Sequence, residues 1–241
     1  MPFSERWKTV RPAWILAVVI FIGWIIGTIG DNVTVCPPSL LISCQPASNY
    51  VATNFLAQNN ALVVYYHQYF QLFSSMLITD NPVDFLFNAI AVLVLDLITE
   101  DNLNKTRYFA VFVSTALIGN MLTLLNGPNY ASAGASGGIF GIYAALITFT
   151  FLKDKKMDIL PIALFVVIFV GSSVLPGVNY LAHLGGAVGG FIAGAIIYES
   201  VKPTITEYSM AYDSSKRTIA ITSIAFLLIV ILSSLQFFSF V

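Results

Sequence analysis

The chain has 241 residues, of which 57% are hydrophobic and only 10% charged, and its formal net charge is −1. An ordinary soluble domain carries about 25% charged residues, so this composition describes an integral membrane protein and excludes a soluble globular domain. The near-neutral balance gives no reason to expect nucleic-acid binding.

Apolar runs of the length a bilayer requires, about 20 residues, fall at roughly 13–30, 83–99, 107–126, 132–152, 158–177, 180–199 and 218–240. The reading is therefore an all-α polytopic membrane protein with seven spans. Residues 1–12 precede the first span and carry Arg6, Lys8 and Arg11. That basic start resembles a signal peptide, but the apolar run continues through Ile29 without a small-residue cleavage site, so a retained helix is expected.

Residues 31–81 form a long loop. Within it, 61–79 (ALVVYYHQYFQLFSSMLIT) is apolar and uncharged and could be counted as an eighth span. Basic residues decide against that. With seven spans, all eleven lysines and arginines fall on one side: the three N-terminal ones, then Lys105, Arg107, Lys153, Lys155, Lys156, Lys202, Lys216 and Arg217. The positive-inside rule makes that side cytoplasmic, with the N-terminus inside and Val241 outside. An eighth span would move eight of the eleven to the other face, so 61–79 is expected to lie in the interface or dip into the membrane.

The outer loop also holds both cysteines, Cys36 and Cys44, in CPPSLLISC. An outward-facing compartment is oxidising, so the pair is a candidate disulfide, against the alternative of two free thiols.

The fourth span begins ASAGASGGIFGIYAA, a lone Ser136 among Gly134, Gly137, Gly138 and Gly141. Taken alone, a serine among glycines is a packing residue where helices approach closely. Of the two histidines, His67 lies among loop tyrosines, while His183 lies near the start of the sixth span in NYLAHLGGAVGGFIAG. Ionisable groups inside a membrane are costly, and each prompts a functional hypothesis.

The second, fourth and sixth spans run in the same direction. Asn88, Ser136 and His183 stand about five, four and three residues into them, roughly 5–10 Å below one rim at 1.5 Å per residue. A hydroxyl, an imidazole and a carboxamide at one depth are what nucleophilic acyl transfer needs: nucleophile, base and oxyanion donor. Glycines spaced four apart (185/189, 186/190, 190/194 on the sixth span; 134/138, 137/141 on the fourth) would let the two helices pack backbone to backbone. Taken singly, the bland readings hold for His183 and Asn88 as interhelical hydrogen-bonders; their shared depth argues for a site. A transporter path lined by the same residues would call for repeated halves or matching Pro/Gly-broken helices, and the sequence has neither.

These residues resemble the rhomboid family of intramembrane serine proteases. The family's G-x-S-G stands here as Gly134-Ala135-Ser136-Gly137, and its A-H with following glycines as Ala182-His183-Leu184-Gly185-Gly186. Its H-x-x-x-N is matched in part by Asp84-Phe85-Leu86-Phe87-Asn88. The resemblance implies a six-helix core over 13–199, a cytoplasmic linker over 200–217, and an extra C-terminal transmembrane helix over 218–241. It implies peptide-bond hydrolysis in or beside the membrane by a Ser–His dyad, without metal or cofactor. Ser136 would be the nucleophile and His183 the base. The oxyanion would be held by the Ser136 N–H and the Asn88 side chain, and Phe140 would pack its ring on the histidine. The substrates would be transmembrane proteins of the surrounding lipid bilayer, cut from the outer side, with the plasma membrane as the expected location. Nothing in the sequence fixes an oligomeric state.

Two departures stand out. Asp84 replaces the family's histidine, and a carboxylate near a developing oxyanion would oppose it unless protonated or turned away. Asp84 also fits the first turn of a helix capped by Asn81 and begun by Pro82, so the histidine's role is not carried over to it. Phe70-Gln71 stands where the loop's Trp-Arg pair is usual. The second departure bears on how the loop is anchored; the first, Asp84, is the one feature that favours the alternative, a rhomboid-like pseudoprotease that binds membrane helices without cutting.

Overall fold

The computed structural model describes residues 11–30, 55–79, 81–99, 103–155, 159–173 and 177–201. They are mostly helical, with one short β pairing and connecting turns. The chain divides into two compact units, residues 1–100 with 126–135 and residues 101–125 with 136–241. Among the described residues, four helices are long and apolar enough to cross a bilayer, Pro12–Ile29, Lys105–Asn126, Ser136–Asp154 and Tyr180–Val201, and a pair bent by 81°, Gln71–Leu77 with Pro82–Leu95, would make a fifth. The expected seventh span, residues 202–217 of the expected linker, and Cys36 and Cys44 lie outside the described residues, while residues 200 and 201, expected in the linker, belong to the helix Tyr180–Val201.

The first unit contains α1 (Pro12–Gly30), β1 (Gln58–Asn59), α2 (Asn60–Tyr65), α3 (Gln71–Ser74), α4 (Pro82–Thr99) and β2 (Ala131–Ser132). α1 and α4 pack through aromatic rings: Trp24 stacks on Phe85 with centroids 4.7 Å apart, and Phe21 approaches the same ring at 5.9 Å. Trp14, Val18 and Ile22 on α1, and Leu86, Phe87 and Ile90 on α4, are exposed. Apolar side chains in such numbers on helix surfaces match a lipid environment, and the chain is an integral membrane protein. At the start of α4, Asn81 Oδ1 accepts from the N–H groups of Val83 (2.8 Å) and Asp84 (3.3 Å), which are helix-end donors with no partner in the helix itself.

The apolar stretch 61–79 breaks into α2, α3 and a 3₁₀ turn, Ser75–Leu77, none long enough alone to cross a bilayer. Gln71 ties this stretch together. Fully buried, it accepts from the Asn59 N–H at 2.9 Å and donates to the Phe55 carbonyl at 3.1 Å and to Gln68 Oε1 at 3.2 Å. The residue that departs from the family pattern is thus itself a loop anchor. Gln71→Leu would remove the acceptor of the part-buried Asn59 N–H and the donor to the Phe55 carbonyl, and is expected to cost about 1–3 kcal/mol, seen as a lower melting temperature in detergent and faster proteolysis within 55–79.

β1 pairs antiparallel with β2, Gln58 opposite Ser132 and Asn59 opposite Ala131. Just beyond, the Asn60 N–H donates to the Tyr130 carbonyl at 3.0 Å and the Asn60 side chain to the Gly127 carbonyl at 2.8 Å. This pairing corrects one expectation. The fourth span does not begin at 132, because 131–132 are strand and Gly134 has φ +131°, a backbone conformation that favours glycine. The helix begins at Ser136, so Gly134 and Gly138 are not a helix-face pair. The apolar, small-residue composition of 131–135 reads as helix; a partner strand more than 70 residues earlier in the chain overrides it.

The second unit contains α5 (Lys105–Thr123), α6 (Ser136–Asp154), α7 (Ile159–Ser173) and α8 (Tyr180–Val201). α8 packs against both α5 and α6, and its glycines divide the work. A Cβ on Gly186 would overlap the Gly137 carbonyl and stand 3.0 Å from Gly137 Cα; one on Gly190 would meet the Gly141 carbonyl, and one on Gly194 the Ala145 carbonyl. Gly185 instead faces α5, where its Cβ would stand 2.8 Å from Gly119 Cα. Without a hydrophobic force between helices in lipid, this backbone-to-backbone approach supplies the van der Waals contact that holds them.

Candidate active site

The site in the second unit is built from helix ends. Asn179 precedes α8; its Oδ1 accepts from the Ala182 N–H at 3.2 Å, and its Nδ2 donates to Thr123 Oγ1 at 2.6 Å. Thr123 in turn donates to the Gly119 carbonyl one turn back on α5, at 3.0 Å. This chain fixes where α8 starts relative to α5, and so fixes His183, its fourth residue. An Asn just ahead of an apolar run is a cap signal that a sequence can carry; its bond to a threonine on another helix is not.

His183 is 3% exposed. Its Nε2 lies 2.9 Å from Ser136 Oγ, and its Nδ1 lies 2.9 Å from Ser173 Oγ at the end of α7. The Phe140 ring, one turn along α6 from Ser136, lies against the imidazole with centroids 4.6 Å apart and planes tilted by 49°. Phe169 stands at 6.3 Å from the same ring and at 5.3 Å from Phe140. Two hydroxyls and two phenyl rings therefore enclose the histidine. The close approach of α6 and α8 at Gly137 and Gly186 is what permits the first hydroxyl to reach it.

The corrected start of α6 has a chemical consequence. Ser136 is the first residue of the helix, not a residue four positions inside it. The first N–H groups of a helix have no intrahelical acceptor, and the helix dipole favours negative charge beside them. The Ser136 N–H therefore lies outside the ladder that four preceding helical residues would have drawn it into. Gly134, two residues earlier, makes the turn into this position, its N–H donating to the Ser75 carbonyl at 2.8 Å.

Asn88 and Asp84 belong to the first unit. Asn88 is 4% exposed, and its Nδ2 has no hydrogen-bond partner among the described residues. Asp84 occupies the first turn of α4, and a Cβ on Gly134 would stand 3.1 Å from its Oδ2. His67, in the same unit, is exposed and bonds Tyr69 Oη through Nδ1 at 2.9 Å.

Sequence reasoning did not find Ser173. A serine at the end of an apolar run carries no signal of its own, and its partner is on another helix.

Residues 66–200 match the model of a protein family, the Rhomboid domain. Over 134 residues the chain is 28% identical to the putative rhomboid protease YdcA of Bacillus subtilis (strain 168), a match covering 52% of this chain and 65% of that protein. It is 29% identical over 120 residues to RHOMBOID-like protein 4 of Arabidopsis thaliana, covering 48% of this chain and 30% of the relative. With the rhomboid protease GluP of Bacillus subtilis it shares 24% over 148 residues, 59% of this chain and 29% of that protein. The chain thus spans less than two thirds of the length of these curated relatives. With the domain match covering more than half of its residues, the motifs on α6 and α8 and the helical membrane architecture, the chain belongs to the rhomboid family.

Proposed function

We propose that the protein is an intramembrane serine endopeptidase that hydrolyses peptide bonds in or near the transmembrane segments of other membrane proteins. The observation that carries this reading is the 2.9 Å contact between Ser136 Oγ and His183 Nε2, enclosed by Phe140 and Phe169. The retained serine–histidine contact favours cutting over the non-cutting binder.

In the proposed mechanism, Ser136 Oγ attacks the scissile carbonyl carbon while its proton passes to His183 Nε2. The tetrahedral oxyanion accepts from the Ser136 N–H, favoured by the α6 dipole, and from Asn88 Nδ2. His183 then returns the proton to the leaving amine, the C–N bond breaks, and an acyl-Ser136 ester remains. Water, deprotonated by His183, cleaves the ester and regenerates the hydroxyl. Asn88 enters on the family pattern, and its buried Nδ2, without a partner among the described residues, supports it. Asn88→Ala is expected to lower kcat about 100-fold with little change in KM, the loss typical of one oxyanion donor. An unchanged kcat would remove Asn88 from the mechanism.

The proposed architecture is a six-helix core with one further C-terminal helix. The proposed setting is the plasma membrane, with the N-terminus cytoplasmic and the site and C-terminus outside, as the one-sided distribution of the basic residues supports. The test is cleavage of a single-pass substrate panel by purified protein in liposomes. The reading requires product from the wild type and none from Ser136→Ala; product from both would assign the cleavage to something else.

A further inference from the structure

We propose that Ser173 is the positioning residue of His183, so that the site operates as a neutral Ser136–His183–Ser173 relay. This rests on the protease reading for its catalytic meaning. Its structural content stands on the contacts themselves.

A neutral imidazole has one N–H and one lone pair, and the hydrogen bond made by one nitrogen selects the state of the other. To take the Ser136 proton, His183 must carry its hydrogen on Nδ1 and leave Nε2 bare. That tautomer needs an acceptor at Nδ1. The ring is buried, so water is a poor candidate, and the neighbouring Phe140 and Phe169 rings offer no lone pair. Ser173 Oγ, at 2.9 Å, fills the place that a carboxylate takes in a Ser–His–Asp triad.

A hydroxyl suits this place better than a carboxylate. An ionised side chain at this depth carries a heavy desolvation cost. The serine oxygen accepts from Nδ1–H in the resting site and again when the ring becomes imidazolium, and it adds no charge. Ser173 is the last residue of α7, so its position depends on how α7 packs on α6, through Phe165 and Phe169 against Phe140. The relay thereby links the base to a third helix. The side chains in these contacts with His183 carry no formal charge, so its tautomer is governed by hydrogen bonding.

The chain has only two histidines, so the full-length protein labelled with ¹⁵N-histidine gives two sets of ring resonances, assigned with a His67→Gln variant. The expected result is Nδ1–H for His183 in the wild type, a mixed tautomer in Ser173→Ala, and recovery in Ser173→Thr, which keeps the hydroxyl. Cleavage should follow, with kcat down roughly 10-fold in Ser173→Ala at unchanged KM and restored by threonine. A wild-type Nε2–H tautomer, or one that Ser173→Ala leaves unmoved, overturns the proposal whatever the activity. If the tautomer shifts as expected but no variant cleaves any substrate, the positioning role of Ser173 is upheld and the protease reading fails.

Discussion

His183→Ala is expected to lower substrate cleavage by at least about 10⁴-fold while the protein remains folded, and Ser136→Ala should do the same. In the proposed mechanism the two side chains act as one unit, since the serine is a poor nucleophile without a base and, without the serine, the base has no acyl-enzyme to hydrolyse. Their losses should therefore not add: the double variant should be no slower than either single one. Strictly additive losses would mean that the 2.9 Å contact is not used in the reaction. Phe140→Leu is a useful comparison, because it removes the ring from the imidazole but leaves both proton-transfer partners; its loss should be far smaller.

Gly186→Val should be the most damaging substitution away from the reacting atoms. The added Cβ would overlap the backbone carbonyl of Gly137, which cannot rotate aside as a side chain could. α8 must move from α6, and His183 sits one turn earlier on α8. Overpacking alone costs about 1–3 kcal/mol, and a clash with backbone belongs at the upper end. The variant is expected to melt lower in detergent and to lose cleavage out of proportion to its lost stability, because the Ser136–His183 distance opens. Gly171→Ala supplies the control: a Cβ added there meets nothing within 4 Å among the described residues, and the variant should stay within about 0.5 kcal/mol of the wild type. Equal behaviour of the two variants would contradict glycine packing as the basis of the site.

The site was legible in the sequence to the extent that it rests on local spacing. Ser136, His183 and their glycines stand out because polar residues are scarce in apolar spans and small residues recur every four positions. The expected helices at 13–30 and 180–199 match α1 and α8 to within two residues, since each is an uninterrupted apolar run. Features set by partners distant in the chain were not legible. The strand at 131–132 depends on Gln58 and Asn59, and without it the start of α6 reads four residues early. Gln71 acquires its anchoring role from three backbone and side-chain partners in a loop with no periodic pattern. Ser173 looks like any helix-end serine until α7 is packed beside α8.

The most direct measurement is labelling of the purified, folded protein in detergent with a fluorophosphonate, an electrophile that an activated serine attacks readily and an unactivated one does not. Wild type should label, and Ser136→Ala and His183→Ala should not, which would place a histidine-activated nucleophile at Ser136. Failure of the wild type to label under conditions where an active rhomboid protease does, or persistent labelling in Ser136→Ala, would contradict the proposed dyad.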